Sequence, residues 1–301
     1  MSLEKEETEI NLIQQVLAGE FDMSVANIGK GTQGDHSEVF FGEFDGRKVF
    51  IKTNSDTRVF PVEAAGYGLF RQHGIPCPEI LAQKERTGYL NRSVLVETAV
   101  PGKRLKDLTE TQDVSPLFEA AGRTMAKIHQ IKVEGFGTLR YRGSSLRGDC
   151  ETWKENVLGY DRDLGYLKAN GFVDERQLKI LTDSIQEIAE VDLPIAIFLH
   201  NDFHHGHIFS DGKEITGIID LGACFSGDPR RDLAVARFYQ TAEEAQAFNR
   251  GYGPLAYDPV VSKYLLLVAA EKVRYRHKGG FAHRMSQALE TLSRSFAEVQ
   301  Q

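Results

Sequence analysis

His200-Asn201-Asp202-Phe203-His204-His205-Gly206-His207 sets an aspartate two residues after one histidine and five before another. Eighteen residues after Asp202, the run Gly217-Ile218-Ile219-Asp220 ends an apolar stretch on a second aspartate. A loop carboxylate can take the proton of a hydroxyl as its oxygen attacks phosphorus, and a carboxylate closing a strand can hold magnesium across the β- and γ-phosphates. The order and spacing, with Asp211-Gly212 as a hairpin turn between them, fit phosphoryl transfer with Asp202 as base and Asp220 as metal ligand. His207 then falls at the second metal-ligand position. His200 joins the catalytic set, with packing and hydrogen bonding of the loop expected of it more than proton transfer. Four histidines within eight residues also raise a zinc cluster, but Asp202 has the better role and the ligand spacing is poor.

Upstream residues supply what a nucleotide would need. Gly29-Lys30-Gly31-Thr32-Gln33-Gly34 matches G-x-G-x-x-G, and the residues after it, His36 to Glu43, are strand-like rather than helical. Gly29, Gly31 and Gly34 are therefore expected in a strand–loop–strand, where backbone amides can approach phosphates with no side chain in the way. Lys52 ends Val49-Phe50-Ile51-Lys52, in the V-A-I-K setting that carries a lysine to the α- and β-phosphates. Glu63, near the start of the next helical pattern, is placed to hold that lysine. Glu97, Thr98 and Ala99 form an extended stretch whose backbone could meet the edge of a purine.

The elements that must position these groups change character near Pro101-Gly102. Before it, helical spacing over 9–19 gives way to strands from Met23 to Phe50, with Asp45-Gly46 as a two-residue hairpin turn. A helix over about 59–72 follows, stopped by Gly74, then strands at 80–83 and 93–98 joined by a turn at Thr87-Gly88. Beyond Pro101-Gly102, helices are expected at about 114–131, 151–169, 174–190, 230–252, 258–277 and 283–298, with motif strands near 197–200 and 215–219 as islands. The fold expected is α+β and bilobal: residues 1–100 a nucleotide-binding antiparallel-sheet lobe with one long helix, residues 101–301 a mainly helical lobe with the catalytic loop, metal site and acceptor-binding helices.

A chain of 301 residues, 41% hydrophobic and 26% charged, suffices for two such cores. The net charge of -7 argues against nucleic-acid or membrane-surface partners and leaves small molecules. Three scattered cysteines, Cys77, Cys150 and Cys224, suit reduced thiols. With an acidic N-terminus and no apolar run of membrane length, a cytoplasmic location is expected. Oligomeric state is not legible.

With these pieces placed, the chain resembles the aminoglycoside phosphotransferases and their wider family of antibiotic and small-molecule kinases. The likeness runs through Lys52, Glu63, Ile75-Pro76-Cys77-Pro78, Ala126-Lys127-Ile128-His129, Gly135-Phe136-Gly137, Thr152-Trp153, the catalytic loop, Asp220 and Gly227-Asp228-Pro229 with Asp232-Leu233-Ala234. It implies a protein-kinase-like fold, ATP or GTP as donor, magnesium, and a small-molecule hydroxyl as acceptor, with an aminoglycoside first. His207 stands where that family usually has asparagine, and an imidazole suits magnesium poorly. A polycationic acceptor would call for an acidic pocket, with Asp149, Glu151, Glu155, Asp161, Asp163 and Glu271 as candidates. Residues 258–301 lean the other way, with seven Lys/Arg against four Asp/Glu. A sugar, macrolide, homoserine or amino alcohol is the alternative acceptor. A nucleotide-binding pseudokinase is a further alternative, and a protein kinase is disfavoured because no activation segment follows Asp220.

Overall fold

The computed structural model describes residues 3–31, 37–109 and 113–300. Helix α1 (Leu3–Phe21) leads into β1 (Ala26–Lys30), β2 (Glu38–Phe44) and β3 (Arg47–Asn54), then α2 (Val59–Gln72), β4 (Ile80–Lys84) and β5 (Ser93–Thr98). The strands form one antiparallel sheet in the order β1-β2-β3-β5-β4. Asp45 and Gly46 both adopt positive φ, 49° and 72°, which gives the β2–β3 turn a twist matching its strands. Along β3 the alternation puts Val49 and Ile51 on one face with Phe40, Val94, Val96 and the α1 residues Ile13, Val16 and Leu17. Lys52 therefore points to the opposite face, toward α2.

The rest of the chain runs β6 (Lys103–Arg104), α3 (Leu105–Leu108), α4 (Ser115–Ile128), β7 (Lys132–Val133), β8 (Phe136–Arg142), β9 (Ser145–Cys150), α5 (Trp153–Leu158), α6 (Asp161–Ala169) and α7 (Glu175–Ala189). It continues through β10 (Ala196–Leu199), β11 (Ile208–Ser210), β12 (Ile215–Ile218), β13 (Phe225–Gly227), α8 (Pro229–Tyr239), α9 (Ala242–Tyr252), α10 (Val260–Lys278) and α11 (Met285–Val299). Its core gathers around α10, whose Tyr264, Leu265, Leu266, Val268 and Ala269 are buried. The same core takes in Val62, Tyr67 and Phe70 of α2, so α2 packs against the elements that follow it as well as its own sheet.

Three expectations change. The motif strands are not islands: β10 lies inside a five-stranded sheet, β7-β10-β13-β8-β9, and β11 pairs with both β12 and β6. The hairpin β8–β9 gave a weak sequence signal because its faces mix buried and exposed residues and Gly135 and Gly137 adopt positive φ, 67° and 96°. The helical pattern over 151–169 divides into α5 and α6, and that over 230–252 breaks at Gln240, which is extended. Thr241 then restarts the chain with a capping box to Glu244, whose reciprocal bonds satisfy N–H groups at the new helix end.

Helices α4 and α9 cross with glycines at their contact. A Cβ on Gly251 would lie 1.9 Å from the Glu119 carbonyl oxygen, and one on Gly122 would lie 2.1 Å from that of Phe248. Alanine normally stabilises a helix interior by about 1 kcal/mol over glycine. Here the backbone itself obstructs, and overpacking of this kind costs about 1–3 kcal/mol. Gly251→Ala is thus expected to lower the thermal midpoint by several degrees; an unchanged or higher midpoint would mean the two helices are free to separate.

Candidate active site

The loop bearing Asp202 leaves β10 at His200 and is held from beneath by one carboxylate. Asp232, fully buried in α8, accepts from the backbone N–H groups of His200 and Asn201, each at 2.7 Å. Its Oδ2 also lies 3.2 Å from His129 Nε2, while His129 Nδ1 meets the Tyr252 hydroxyl at 2.7 Å. The α4–α9 crossing thereby fixes the group on which the loop rests. Asn201, at φ 62°, turns the chain, with its side-chain amide donating to Ala223 O and its oxygen accepting from Arg231 Nε at 2.9 Å.

His200 is wholly buried with both ring nitrogens engaged: Nε2 lies 3.1 Å from the Ile219 carbonyl, and Nδ1 accepts from Asp202 N at 3.3 Å. Burial, then the neighbouring His207, lowers its pKa. It ties the loop bearing Asp202 to the strand end before Asp220, a positioning task. Asp202 presents Oδ1 to Lys272 Nζ at 3.3 Å, and Oδ2 to His207 Nδ1 at 3.6 Å and His204 Nε2 at 3.8 Å. Burial opposes its charge, but Lys272 and the histidines prevail and hold its pKa at about 2.

His207 stands between the two aspartates. Its Nδ1 lies 3.0 Å from the Asp202 carbonyl, which can only accept, so Nδ1 carries the proton. In the neutral ring the lone pair is on Nε2, 3.4 Å from Asp220 Oδ2. That pair of atoms suits two neighbouring positions on one divalent cation. A nitrogen–oxygen donor set admits manganese and its neighbours more readily than magnesium, which favours oxygen. Asp202, His204 and His207 also bring ligand atoms within 4.8 Å of one another.

Asp220 adopts φ 69°, and its N–H donates to the Tyr67 hydroxyl at 2.8 Å. Tyr67 donates to Glu63 Oε1 at 3.1 Å, and Lys52 Nζ donates to the same oxygen at 2.8 Å. One continuous chain of hydrogen bonds thus links the metal-ligand candidate to the lysine. Tyr67 was not singled out from the sequence; its signal is its place one turn after Glu63 on the same face of α2. The helix lies close to this strand end because Gly66 faces Leu221, where a Cβ would meet Leu221 Cδ1 at 2.9 Å.

Glu97 takes a place that sequence reasoning missed. Its backbone lies in β5, but its side chain is buried against Lys52 Nζ at 2.8 Å, and its Oε2 has no partner among the described residues. Burial raises its pKa to about 7, against the pull of Lys52. Burial likewise opposes the charge on Lys52, yet Glu63 and Glu97 hold its pKa above the ordinary lysine value. The N–H groups of Thr98 and Ala99 donate to Glu79 O and Lys48 O, both at 2.9 Å, so a purine edge there would have to use other donors. Gly29 lies in β1 against the Phe41 ring, and Gly31 N donates to Val39 O at 2.7 Å. Gly34 lies outside the described residues.

Four of the six acidic acceptor candidates are engaged. Asp149 meets Arg140 at 3.2 Å, Glu151 meets Arg147 at 2.8 Å, and Glu271 meets Arg231 at 2.9 Å. Glu155 accepts from the N–H of Glu151. The side chains of Asp161 and Asp163 lie outside the described residues.

An antiparallel-sheet lobe, a mainly helical lobe and a lysine–glutamate pair wired to a strand-end aspartate define a protein-kinase-like phosphotransferase. The description "phosphotransferase enzyme family" matches residues 34–262, and the chain belongs to that family. No curated protein sequence matches the chain significantly. Among solved structures it is similar to aminoglycoside phosphotransferase APH(4)-Ia, at 20% identity and TM-score 0.79 over 96% of this chain and 99% of that one. A thermostable variant of that enzyme, in a ternary complex with ADP and hygromycin B, gives the same TM-score of 0.79 at 20% identity over 95% and 98% of the two chains. A fructosamine-3-kinase candidate from Haemophilus somnus 129PT aligns at 17% identity and TM-score 0.64 over 93% and 96%. At these identities the likeness establishes the fold. None of the helices described is long and apolar enough to cross a membrane.

Glu97 makes the lysine pocket sensitive to pH. Its folded pKa near 7 exceeds the unfolded value of about 4.3, so the folded state holds the extra proton. That contribution is full below about pH 4.3 and is lost as pH rises through 7. Glu97→Gln, neutral throughout, is expected to flatten the decline in urea midpoint between pH 5 and 8. The same slope in both proteins would show that Glu97 ionises normally.

Proposed function

We propose that this protein transfers the γ-phosphoryl group of ATP or GTP to a hydroxyl of a small molecule, with aminoglycosides the first acceptors to try. The observation that carries this reading is the hydrogen-bonded chain Lys52–Glu63–Tyr67–Asp220, which ends beside His207 and the loop bearing Asp202. Lys52 would take the α- and β-phosphates with its ammonium already oriented. The flap containing Gly29, Gly31 and Gly34 would cover them with backbone amides. Asp220 and His207 would hold a divalent cation, magnesium by the family's habit, whose charge offsets that of the phosphates. Asp202 would align the acceptor hydroxyl and receive its proton, and with a pKa near 2 it orients more than it abstracts until the bond to phosphorus is well advanced.

The aminoglycoside reading is supported by the likeness to the hygromycin-binding structure. The pairing of Asp149, Glu151 and Glu271 with arginines favours a second reading, an acceptor that is not a polycation, since those carboxylates are already neutralised. Nucleotide consumption against a panel of aminoglycosides, sugars, macrolides and amino alcohols, with product mass, tests both. Asp202→Asn is expected to reduce turnover by about 10²–10⁴-fold with nucleotide affinity nearly unchanged. Equal loss of nucleotide binding would mean that Asp202 is structural.

The histidine ligand has its own signature. His207→Asn replaces an imidazole nitrogen with an amide oxygen, and the ratio of magnesium- to manganese-supported activity is expected to rise several-fold. An unchanged ratio would remove His207 from the metal site.

A further inference from the structure

Among the described residues, Lys272 is the one lysine or arginine paired with Asp202, and neither the motifs nor the family frame gave it a task. It lies on α10, with its Nζ 3.3 Å from Asp202 Oδ1 and 5.3 Å from the centre of the Tyr239 ring. Among the described residues Asp202 is its only acidic partner within 4.0 Å. Its side chain is about a quarter exposed, so it opens on the space beside the carboxylate. The position is also braced. The preceding residue, Glu271, pairs with Arg231, and the same guanidinium donates through Nε to Asn201, the residue before Asp202. That bridge fixes the register of α10 against the catalytic loop, and Arg231 itself is buried over the Tyr160 and Phe225 rings.

We propose that Lys272 is a catalytic cation, whose ammonium moves from Asp202 to the phosphoryl group during transfer. The inference rests on the phosphotransferase reading above. A hydroxyl bound to Asp202 sits about 2.7 Å from the carboxylate, and the phosphorus it attacks lies about 3–3.5 Å further on. An ammonium bonded to the same carboxylate is within a side-chain adjustment of the equatorial phosphoryl oxygens. The hydroxyl oxygen forms its bond to phosphorus as the bond from phosphorus to the β-phosphate oxygen breaks, and that electron pair leaves on the nucleoside diphosphate. The hydroxyl proton passes to Asp202. Asp202 thereby loses the charge that held Lys272, just as charge gathers on the phosphoryl oxygens. Lys272 keeps its own proton and follows the charge. Positioned donors at such sites act where charge develops, in a setting poor in water.

The test uses the intact protein with Lys272→Met and Lys272→Arg. Turnover is measured with the best acceptor from the panel and, independently, as slow nucleotide hydrolysis with water in the acceptor's place. Lys272→Met is expected to lower kcat by about 10²–10³-fold in both assays, with the KM for nucleotide and acceptor changed less than about threefold. Lys272→Arg should recover at least a tenth of wild-type kcat. ADP should bind both variants as it binds wild type, while the added affinity from aluminium fluoride, a mimic of the phosphoryl group in flight, is lost in the methionine variant alone. Unchanged kcat in Lys272→Met would overturn the proposal. So would a rise confined to the acceptor KM, which would make Lys272 a seat for an anionic group of the acceptor. Equal losses of folding stability and activity in both variants would make it structural. Wild-type protein that consumes no nucleotide in either assay sinks the phosphotransferase reading itself, and Lys272 with it.

Discussion

A lysine ammonium cannot be placed in the interior of a small sheet without compensating charge, and most of the site's arrangement follows from how Lys52 is compensated. Removing an ion from water costs several kcal/mol, which only close, hydrogen-bonded counter-charges offset. Glu63 supplies one and is itself nearly inaccessible, so α2 must lie against β3 at a fixed height. Tyr67 shares the Glu63 oxygen and reaches across to the backbone of Asp220, so the same requirement sets the strand end that would carry the cation. Glu97 adds a second carboxylate to the same ammonium, and its burial, with the Glu63 charge adding to it, raises its pKa against the pull of Lys52. Lys52 and the metal-ligand candidate are therefore one unit, joined through the Glu63 and Tyr67 side chains of α2.

The second half of the site is organised by Asp232. Two backbone N–H groups at 2.7 Å use its full charge, and bonds of this kind are worth about 1.5–3 kcal/mol each when the acceptor is ionised and buried. His129 and Tyr252 complete its surroundings, which explains why a glycine-lined crossing of α4 and α9, remote from any phosphate, matters to the geometry of Asp202. Asp228, also fully buried, does comparable work for α8 by accepting from Arg230 N and from the Tyr264 hydroxyl. Trp153 lies flat on Gly227, where any side chain would collide with the indole. Thus the pattern Gly227-Asp228-Pro229 with Asp232 describes a support under the loop that bears Asp202.

Charge around the candidate site follows the basic lean of residues 258–301 more than the expected acidic pocket. Three of the acids that could have greeted a polycation, Asp149, Glu151 and Glu271, face arginines instead, and Asp202 meets a lysine. The aromatic surface around it, with His204 against Tyr239 and His207, narrows the approach to Asp202 Oδ2. On the proposed reading, an acceptor hydroxyl would pass these imidazole rings to reach a carboxylate already engaged on its other oxygen.

The sequence by itself determined the two-part architecture and the family frame. Asp45-Gly46 fixed a hairpin, apolar periodicity marked α2, α7, α10 and α11, and the spacing of Lys52, Glu63, Asp202 and Asp220 pointed to phosphoryl transfer, because such features depend on residues near one another in the chain. It understated β8 and β9, whose mixed faces and positive-φ glycines lack a clean alternation, and it overextended two helical patterns whose breaks depend on a single extended residue or a glycine. What only the tertiary structure decided are the partners brought from far away: Glu97 and Tyr67 on the lysine and aspartate, His129 under Asp232, Arg231 on Glu271, and Lys272 on the base. Periodicity tells which face of an element is buried; it does not say which distant charge that face will meet, since electrostatic pairing is set by distances that only packing defines.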